Sequence, residues 1–453
     1  MKALLVGVVL AACAATTLSA QDDNRCRLQV VAVGDTGRKL VTSDGINYFA
    51  GGGVRLRCLG TRISMESDSV ASYNARIIQF IGHMRYADST LTMDADQGTY
   101  YKDGERWEAR GAVKTRNLKN GSTLTGPSLD YFRRVQGVRD TFEMYAVGRP
   151  RIVYASRDST GALAEPYTIV GDRVRARGDD RIWAGGSVTI DRSDFAARAD
   201  SLQLDTGAGN DGTLVGGKPV LRGLGPDSFQ LEGTRIDLAL RGRDLSRIVA
   251  RRAARVVNAN WTLVADTIAL DVNERKLQRA RAWGDSVRPH AISDRQEIRA
   301  DSLFLDTPGQ KLREARAFGH AWVGGAADST THDRDWLAGE TVTATFAQRD
   351  SAGVSHTVVR HMEARTDARS FYRSPDAKHP DRPSLTYARG QRITITMQEG
   401  AGEGVDRVDL FGKVDGVRLE PSSGQAGKTP PLPIGGGVAP TLPSLLPGSG
   451  APR

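Results

Sequence analysis

One seven-residue phrase recurs along this chain and constrains its fold more than any other feature. It stands as Ala199-Asp200-Ser201-Leu202-Gln203-Leu204-Asp205, as Ala265-Asp266-Thr267-Ile268-Ala269-Leu270-Asp271 and as Ala300-Asp301-Ser302-Leu303-Phe304-Leu305-Asp306. Looser copies carry Asp68, Asp96, Pro127, Asp172, Thr234, Glu340 and Gln391 at the matching place. Self-similarity on this scale marks one supersecondary unit used repeatedly, here about ten times. The interval is 28 residues from Asp68 to Asp96 and from Asp172 to Asp200, but 35 from Asp266 to Asp301. Strands tolerate such variation because their hairpin loops lengthen at little cost, whereas stacked helices lose phase.

A second phrase follows each copy: a ring or small residue, then glycine, then an alternating strand. Examples are Phe80-Ile81-Gly82-His83-Met84, Arg110-Gly111-Ala112-Val113, Trp183-Ala184-Gly185-Gly186-Ser187-Val188, Phe318-Gly319-His320-Ala321 and Phe411-Gly412-Lys413-Val414. Glycine at a fixed place in a strand marks a bulge or sharp bend, and a neighbouring ring can cover the gap it leaves. Each unit therefore reads as strand, turn, strand, bend, strand.

Within these strands Leu202 and Leu204 share one face while Gln203 and Asp205 share the other, and Val188 and Ile190 flank Thr189 in the same way. Stacking such units predicts an all-β, elongated, twisted jelly roll, a V-shaped open sandwich with apolar faces turned toward each other. The residues expected to line that interior are Ile78, Phe80, Leu91, Met93, Val113, Val188, Ile190, Leu202, Leu204, Ile268, Leu270, Leu303 and Leu305. Self-packing in a closed core is an equal alternative for any one of them.

The flanks differ in kind. Residues 1–20 have a basic start at Lys2, an apolar stretch and a small-residue site before Gln21, the pattern of an export signal; a lipid-modified Cys13 after Leu10-Ala11-Ala12 is the competing reading. After cleavage Cys26 and Cys58 remain, an even pair expected to form a disulfide in a lead segment, 21–62. Two repeat regions follow, 63–225 and 226–420, with joints at 156–166 and 223–227. The stretch 421–453 is rich in Gly, Pro and Ser and reads as a disordered tail.

Of the 453 residues 62 are basic, mostly arginine, for a formal net charge of +9. Arginine suits phosphate or carboxylate contact, and a GC-rich genome produces the same excess without a ligand. No basic run is interleaved with aromatics, so a nucleic-acid partner is not expected.

Enzyme signatures are missing. The seven histidines, His83, His290, His320, His332, His356, His361 and His379, show no metal-ligand spacing, and no metal or cofactor is expected. Aspartates repeating at one phase of every unit read as structural residues bonding their own backbone, because a catalytic pair is placed once.

The repeat resembles the OstA-like (organic solvent tolerance) family, which includes periplasmic lipopolysaccharide-transport proteins of the LptA type. The match is best over 63–131, with Met93-Asp94-Ala95-Asp96, Tyr100 and Arg110-Gly111-Ala112-Val113 in the family's order, and weaker copies run to Glu420. The chain is about twice the length of a simple bridge protein of that family. The resemblance implies a β-groove that carries acyl chains of lipopolysaccharide or a related glycolipid through the periplasm toward the outer membrane. It also implies edge-strand pairing with other transport proteins or with further copies. A structural β-solenoid scaffold or surface adhesin is the alternative, and a polysaccharide-acting β-helix enzyme is the least favoured.

Overall fold

The computed structural model describes residues 26–421 apart from 158–162, 208, 226–227, 242–243, 260, 294–295, 328–333, 352–353, 375–382 and 399–404. The export-signal reading, Cys13 and all but the first residue of the tail lie outside the described residues, as do His332 and His379. The described chain is almost entirely β-strand, with one short 3-10 turn at Pro308–Gln310.

Thirty strands form one continuous sheet. The pairing is antiparallel throughout and follows the chain order, as when Ile77–Ala87 pairs with Leu91–Tyr101 and that strand with Arg106–Asn117. The sheet is creased along a single line that crosses every strand. In Ile77–Ala87 the register shifts between Ile81 and Met84, in Leu91–Tyr101 between Asp94 and Gln97, and in Arg106–Asn117 between Arg110 and Val113. Elsewhere the crease interrupts the strand, so Glu143–Val147 and Arg151–Arg157 are two halves of one run, as are Val405–Phe411 and Asp415–Leu419. Folding at the crease makes two layers. Residues 77–81, 97–101 and 106–110 belong to what we call the front layer, and 84–87, 91–94 and 113–117 to the back layer.

The two recurring phrases are the two sides of one corner. On one strand a glycine and its successor both turn left-handed, with φ of +73° at Gly319 and +47° at His320. On the next strand the repeated aspartate packs over that glycine. A Cβ built on Gly319 would meet Asp301 Cβ at 2.8 Å, and the same 2.8 Å holds for Gly111 with Asp96 and Gly186 with Asp172. The carboxylate therefore occupies the gap that sequence reasoning gives to a ring, and it serves the neighbouring strand rather than its own backbone. At Asp266 the backbone N–H groups of Ser286 and Val287 donate to the carboxylate at 2.8 and 3.1 Å.

Alternation drives the layers together. Inward residues such as Leu202, Ile236, Ile268, Ala280 and Ile393 are buried and belong to one cluster extending from Cys26 to Ile395. The filling changes along the body. Near the N-terminal end Trp107 is stacked on Tyr100, with centroids 5.1 Å apart, and touches Phe80 and Tyr86. Toward the C-terminal end the crease is filled by Ala317, Ala321, Leu337, Val342, Ala364 and Ala368.

Cys26 and Cys58 are joined by a disulfide with Cα atoms 5.0 Å apart. The sequence-derived joints are not breaks in the sheet. Val220–Gly223 pairs with Phe229–Glu232 across 223–227, and Arg151–Arg157 with Leu163–Val170 across 156–166, so both are hairpin connections within a continuous ladder.

Candidate functional site

The interior between the layers is the site toward which the sequence points. Ile78, Phe80, Leu91, Met93, Val113, Val188, Ile190, Leu202, Leu204, Ile268, Leu270 and Leu303 all face it and are buried, and Leu305 is half-buried against the same cluster. Alternation thus places the set on one face. It does not reveal that most of them are covered by one another.

Polar groups tie the layers together along the side opposite the crease. Near the N-terminal end the Cys26 backbone N–H, on the back layer, donates to Glu105 Oε1 at a front-layer turn, 2.8 Å away. Tyr100 donates to the other Glu105 oxygen at 2.7 Å, and Arg133 pairs with it at 2.9 Å. Burial opposes charge on Arg133, but the Glu105 carboxylate outweighs it, so the guanidinium holds its proton more tightly than usual. Tyr131 of the front layer and Tyr86 of the back layer both donate to Asp88 Oδ2 at 2.8 Å. Burial, then the Asp88 charge, pushes both phenols well above their ordinary range, so they remain neutral donors.

Further along, Asn117 and Lys119 of the back layer reach Asp179 of the front at 2.7 and 2.9 Å. Arg192 is almost wholly buried. It pairs with Asp194 at its own turn, meets Asp244 of the opposite layer at 3.5 Å, and accepts the Tyr167 ring beneath its guanidinium at 4.9 Å. Arg275 crosses back to Glu165 at 3.2 Å and Asp194 at 3.7 Å. In this stretch the cavity lined by Leu91, Leu124, Phe142, Ile152 and Ile182 measures about 40 Å³, room for a water molecule or two rather than an acyl chain.

The C-terminal stretch has smaller residues at its crease. Inward side chains at the crease are closed off, with Ala364 and Ala368 fully buried, while those one step out along the same face are partly buried against the same cluster. These are Leu305, Met362, Met397, Val408 and Leu410 on the front layer and Val323 on the back. Small crease residues let the layers meet at the corner. This strip of partly buried leucine, valine and methionine beside the small-residue crease is called the trough. Sequence reasoning names only Leu305 among these residues. Met362, Met397 and Leu410 share the same alternation with Ala364, Ile395 and Val408, which is the signal that could have found them.

The trough ends at an open sheet edge. Among the described residues, Val405–Phe411 and Asp415–Leu419 pair on one side only, with the strand Ser384–Met397, and the opposite edge is formed by Leu28–Val33 and Thr36–Thr42. Val417 and Leu419 at one edge, and Val30 and Val41 at the other, are more than half exposed.

Among the described residues no cluster of three or more His, Cys, Asp or Glu could hold a metal ion, and no helix is long and apolar enough to cross a membrane. No protein-family model matches the chain. No curated protein sequence matches it either.

Proposed function

We propose that this chain is an exported binding or bridge protein. In this reading it carries the acyl chains of lipopolysaccharide or a related glycolipid toward the outer membrane. The observation that carries this reading is the strip of partly buried Leu305, Val323, Met362, Met397, Val408 and Leu410 packed against the buried interior. An acyl chain of about a dozen carbons costs on the order of 10 kcal/mol to hold in water, at roughly 0.8 kcal/mol per methylene, so transit through an aqueous compartment requires a dry wall. The walls here are flexible at their rim, because methionine adapts to irregular apolar shapes. The two edges, unpaired among the described residues, suit strand addition by a neighbouring transport protein or a further copy.

A second reading, a scaffold with no lipid cargo, is favoured by the filled and cross-tied stretch from Cys26 to Arg275. The two separate by photo-crosslinking. A photoreactive residue at Met362, Met397 or Leu410 should capture radiolabelled lipopolysaccharide in cells. One at Leu202 should do so only weakly, because Arg192 and Arg275 tie the layers shut beside it. Absence of an adduct at all of the trough positions would remove the lipid reading and leave the scaffold.

A further inference from the structure

In a protein built from one repeated unit, the places that depart from repetition are those where something besides stacking is selected. One corner departs. Where the Gly319 corner takes two residues, six, 284–289, separate Lys276–Trp283 from His290–Ser293. The widened corner opens a cleft of about 570 Å³ on the outer face, lined by Arg288, Pro289, His290, Arg299, Ala300, His320 and Trp322.

Its cationic groups are paired but exposed. Asp301 pairs with Arg288 at 3.3 Å and His320 at 2.9 Å, while Glu297 receives Arg299, His290 at 2.9 Å and Arg334 at 3.7 Å. The two arginines lining the cleft are thus matched by two carboxylates, with Arg334 reaching Glu297 from outside the lining and Asp266 bound to the backbone of Ser286 and Val287 at the same corner. The Arg288 and Arg299 side chains are each 62% exposed, so both present free N–H donors to the cleft. Forked, permanently charged donors of this kind match phosphoryl oxygens.

An aromatic band leads away from the cleft across the same outer face. Arg299 lies opposite Trp322 in the ladder, its guanidinium 5.4 Å from the indole. Trp322 folds over Gly324, where an added Cβ would lie 2.9 Å from the ring's Cζ2, so the glycine is what lets the indole lie flat on the sheet. Gly324 faces Trp336, Trp336 faces Phe371, and Phe371 faces Tyr387. Trp336 and Phe371 are stacked with centroids 6.4 Å apart, and Tyr387 stands 6.3 Å from Trp336. Alternate residues Leu337, Ser370 and Ala388 are buried inward, which fixes the aromatic row on the outer side. A flat row of rings on a sheet surface offers the apolar faces of successive pyranose rings something to stack on. Lipid tails find no enclosing wall there.

We infer that this outer face binds a phosphorylated saccharide, the phosphoryl group held by Arg288 and Arg299 in the cleft and the sugar rings laid along Trp322, Trp336 and Tyr387. The inference does not depend on lipid entering the interior, since a saccharide without acyl chains satisfies every group named.

The test is calorimetric titration of the full chain with mannopentaose 6-phosphate, with the dephosphorylated pentasaccharide and with inorganic phosphate. The phosphorylated sugar should bind about tenfold more tightly than either part alone, the difference expected for a charge-assisted contact added to stacking. Arg288→Gln and Arg299→Gln should each weaken binding about tenfold, and Tyr387→Ala should weaken both sugars alike. Tyr48→Ala, an exposed ring near the opposite edge, should leave binding unchanged, with circular dichroism confirming the fold of every variant. The inference is overturned by absence of binding, by inorganic phosphate binding as well as the phosphorylated sugar, or by affinity indifferent to both arginine variants. A parallel arm uses vesicles bearing a phosphorylated glycolipid. Vesicle capture that survives both arginine variants while free-sugar binding is lost assigns that capture to the apolar trough, so this inference and the lipid reading can fail separately.

Discussion

Asp301 and Gly319 share a corner on adjacent strands, the aspartate standing where a side chain on the glycine would have to go; a Cβ there would meet Asp301 Cβ at 2.8 Å. The same relation between Asp96 and Gly111 and between Asp172 and Gly186 shows what the repeat encodes. It is a crease, specified twice, once by a residue able to turn left-handed and once by a short carboxylate that fills the space left over.

Gly319→Ala should therefore destabilise the C-terminal part of the sheet by roughly 1–3 kcal/mol, from left-handed strain plus the collision with Asp301. Gly37→Ala, in open space without a positive φ, should stay within about 0.5 kcal/mol. Urea unfolding compares the two, and equal effects would show that the crease does not depend on this packing.

Arg192→Ala removes the cation between Asp194 and Tyr167 in a nearly dry site and should cost on the order of 3 kcal/mol, because it leaves Asp194 short of its main partner. Arg407→Ala breaks a solvent-exposed pair with Asp409 and should cost less than about 1 kcal/mol. Hydrogen exchange at 163–170 and 244–258 should rise in the first variant only.

Acid should loosen the same tie. Burial alone would raise the Asp194 pKa, but hydrogen bonding and charge from Arg192, with Arg275 adding to it, hold it below the ordinary aspartate value. A depressed folded-state pKa gives stability that is complete above the unfolded value, about 3.9, and is lost as pH falls through the lower folded value. Stability measured from pH 6 downward should fall below about pH 4, and the fall should be shallower in Asp194→Asn.

Replacing both Cys26 and Cys58 by serine opens a loop spanning 32 residues and should cost the N-terminal edge about 3 kcal/mol. The loss should appear as faster exchange at 28–58, with 314–397 unaffected, since units in a stacked repeat contact only their neighbours.

Met397→Asp tests the trough. Its side chain is partly buried beside the sheet edge, so a charge there should leave the fold intact while abolishing glycolipid capture at Met362 and Leu410 in the crosslinking experiment. Retained capture would mean the lipid, if bound, lies elsewhere.

Much of this architecture is local and so was legible in the chain. Alternation along Leu202, Leu204, Val188 and Ile190 fixes which face is buried whatever lies opposite, and recurrent glycine marks where the strands bend. The same corner is nevertheless made without glycine at Arg252-Ala253 and Thr366-Asp367, each pair left-handed, where the register of neighbouring strands imposes what the residues do not prefer. Pro- and Gly-rich segments at 156–166 and 223–227 resemble linkers because hairpin loops and linkers draw on the same residues.

By itself, then, the sequence determined the period, the strands, the buried face and the crease, all of which follow from side-chain phase and backbone freedom within a few residues. Only the tertiary structure decided how far the two layers close. That distance depends on what stands opposite across the interior, Trp107 or Ala364, and on ties such as Cys26 to Glu105 and Arg275 to Glu165, whose partners are 79 and 110 residues apart.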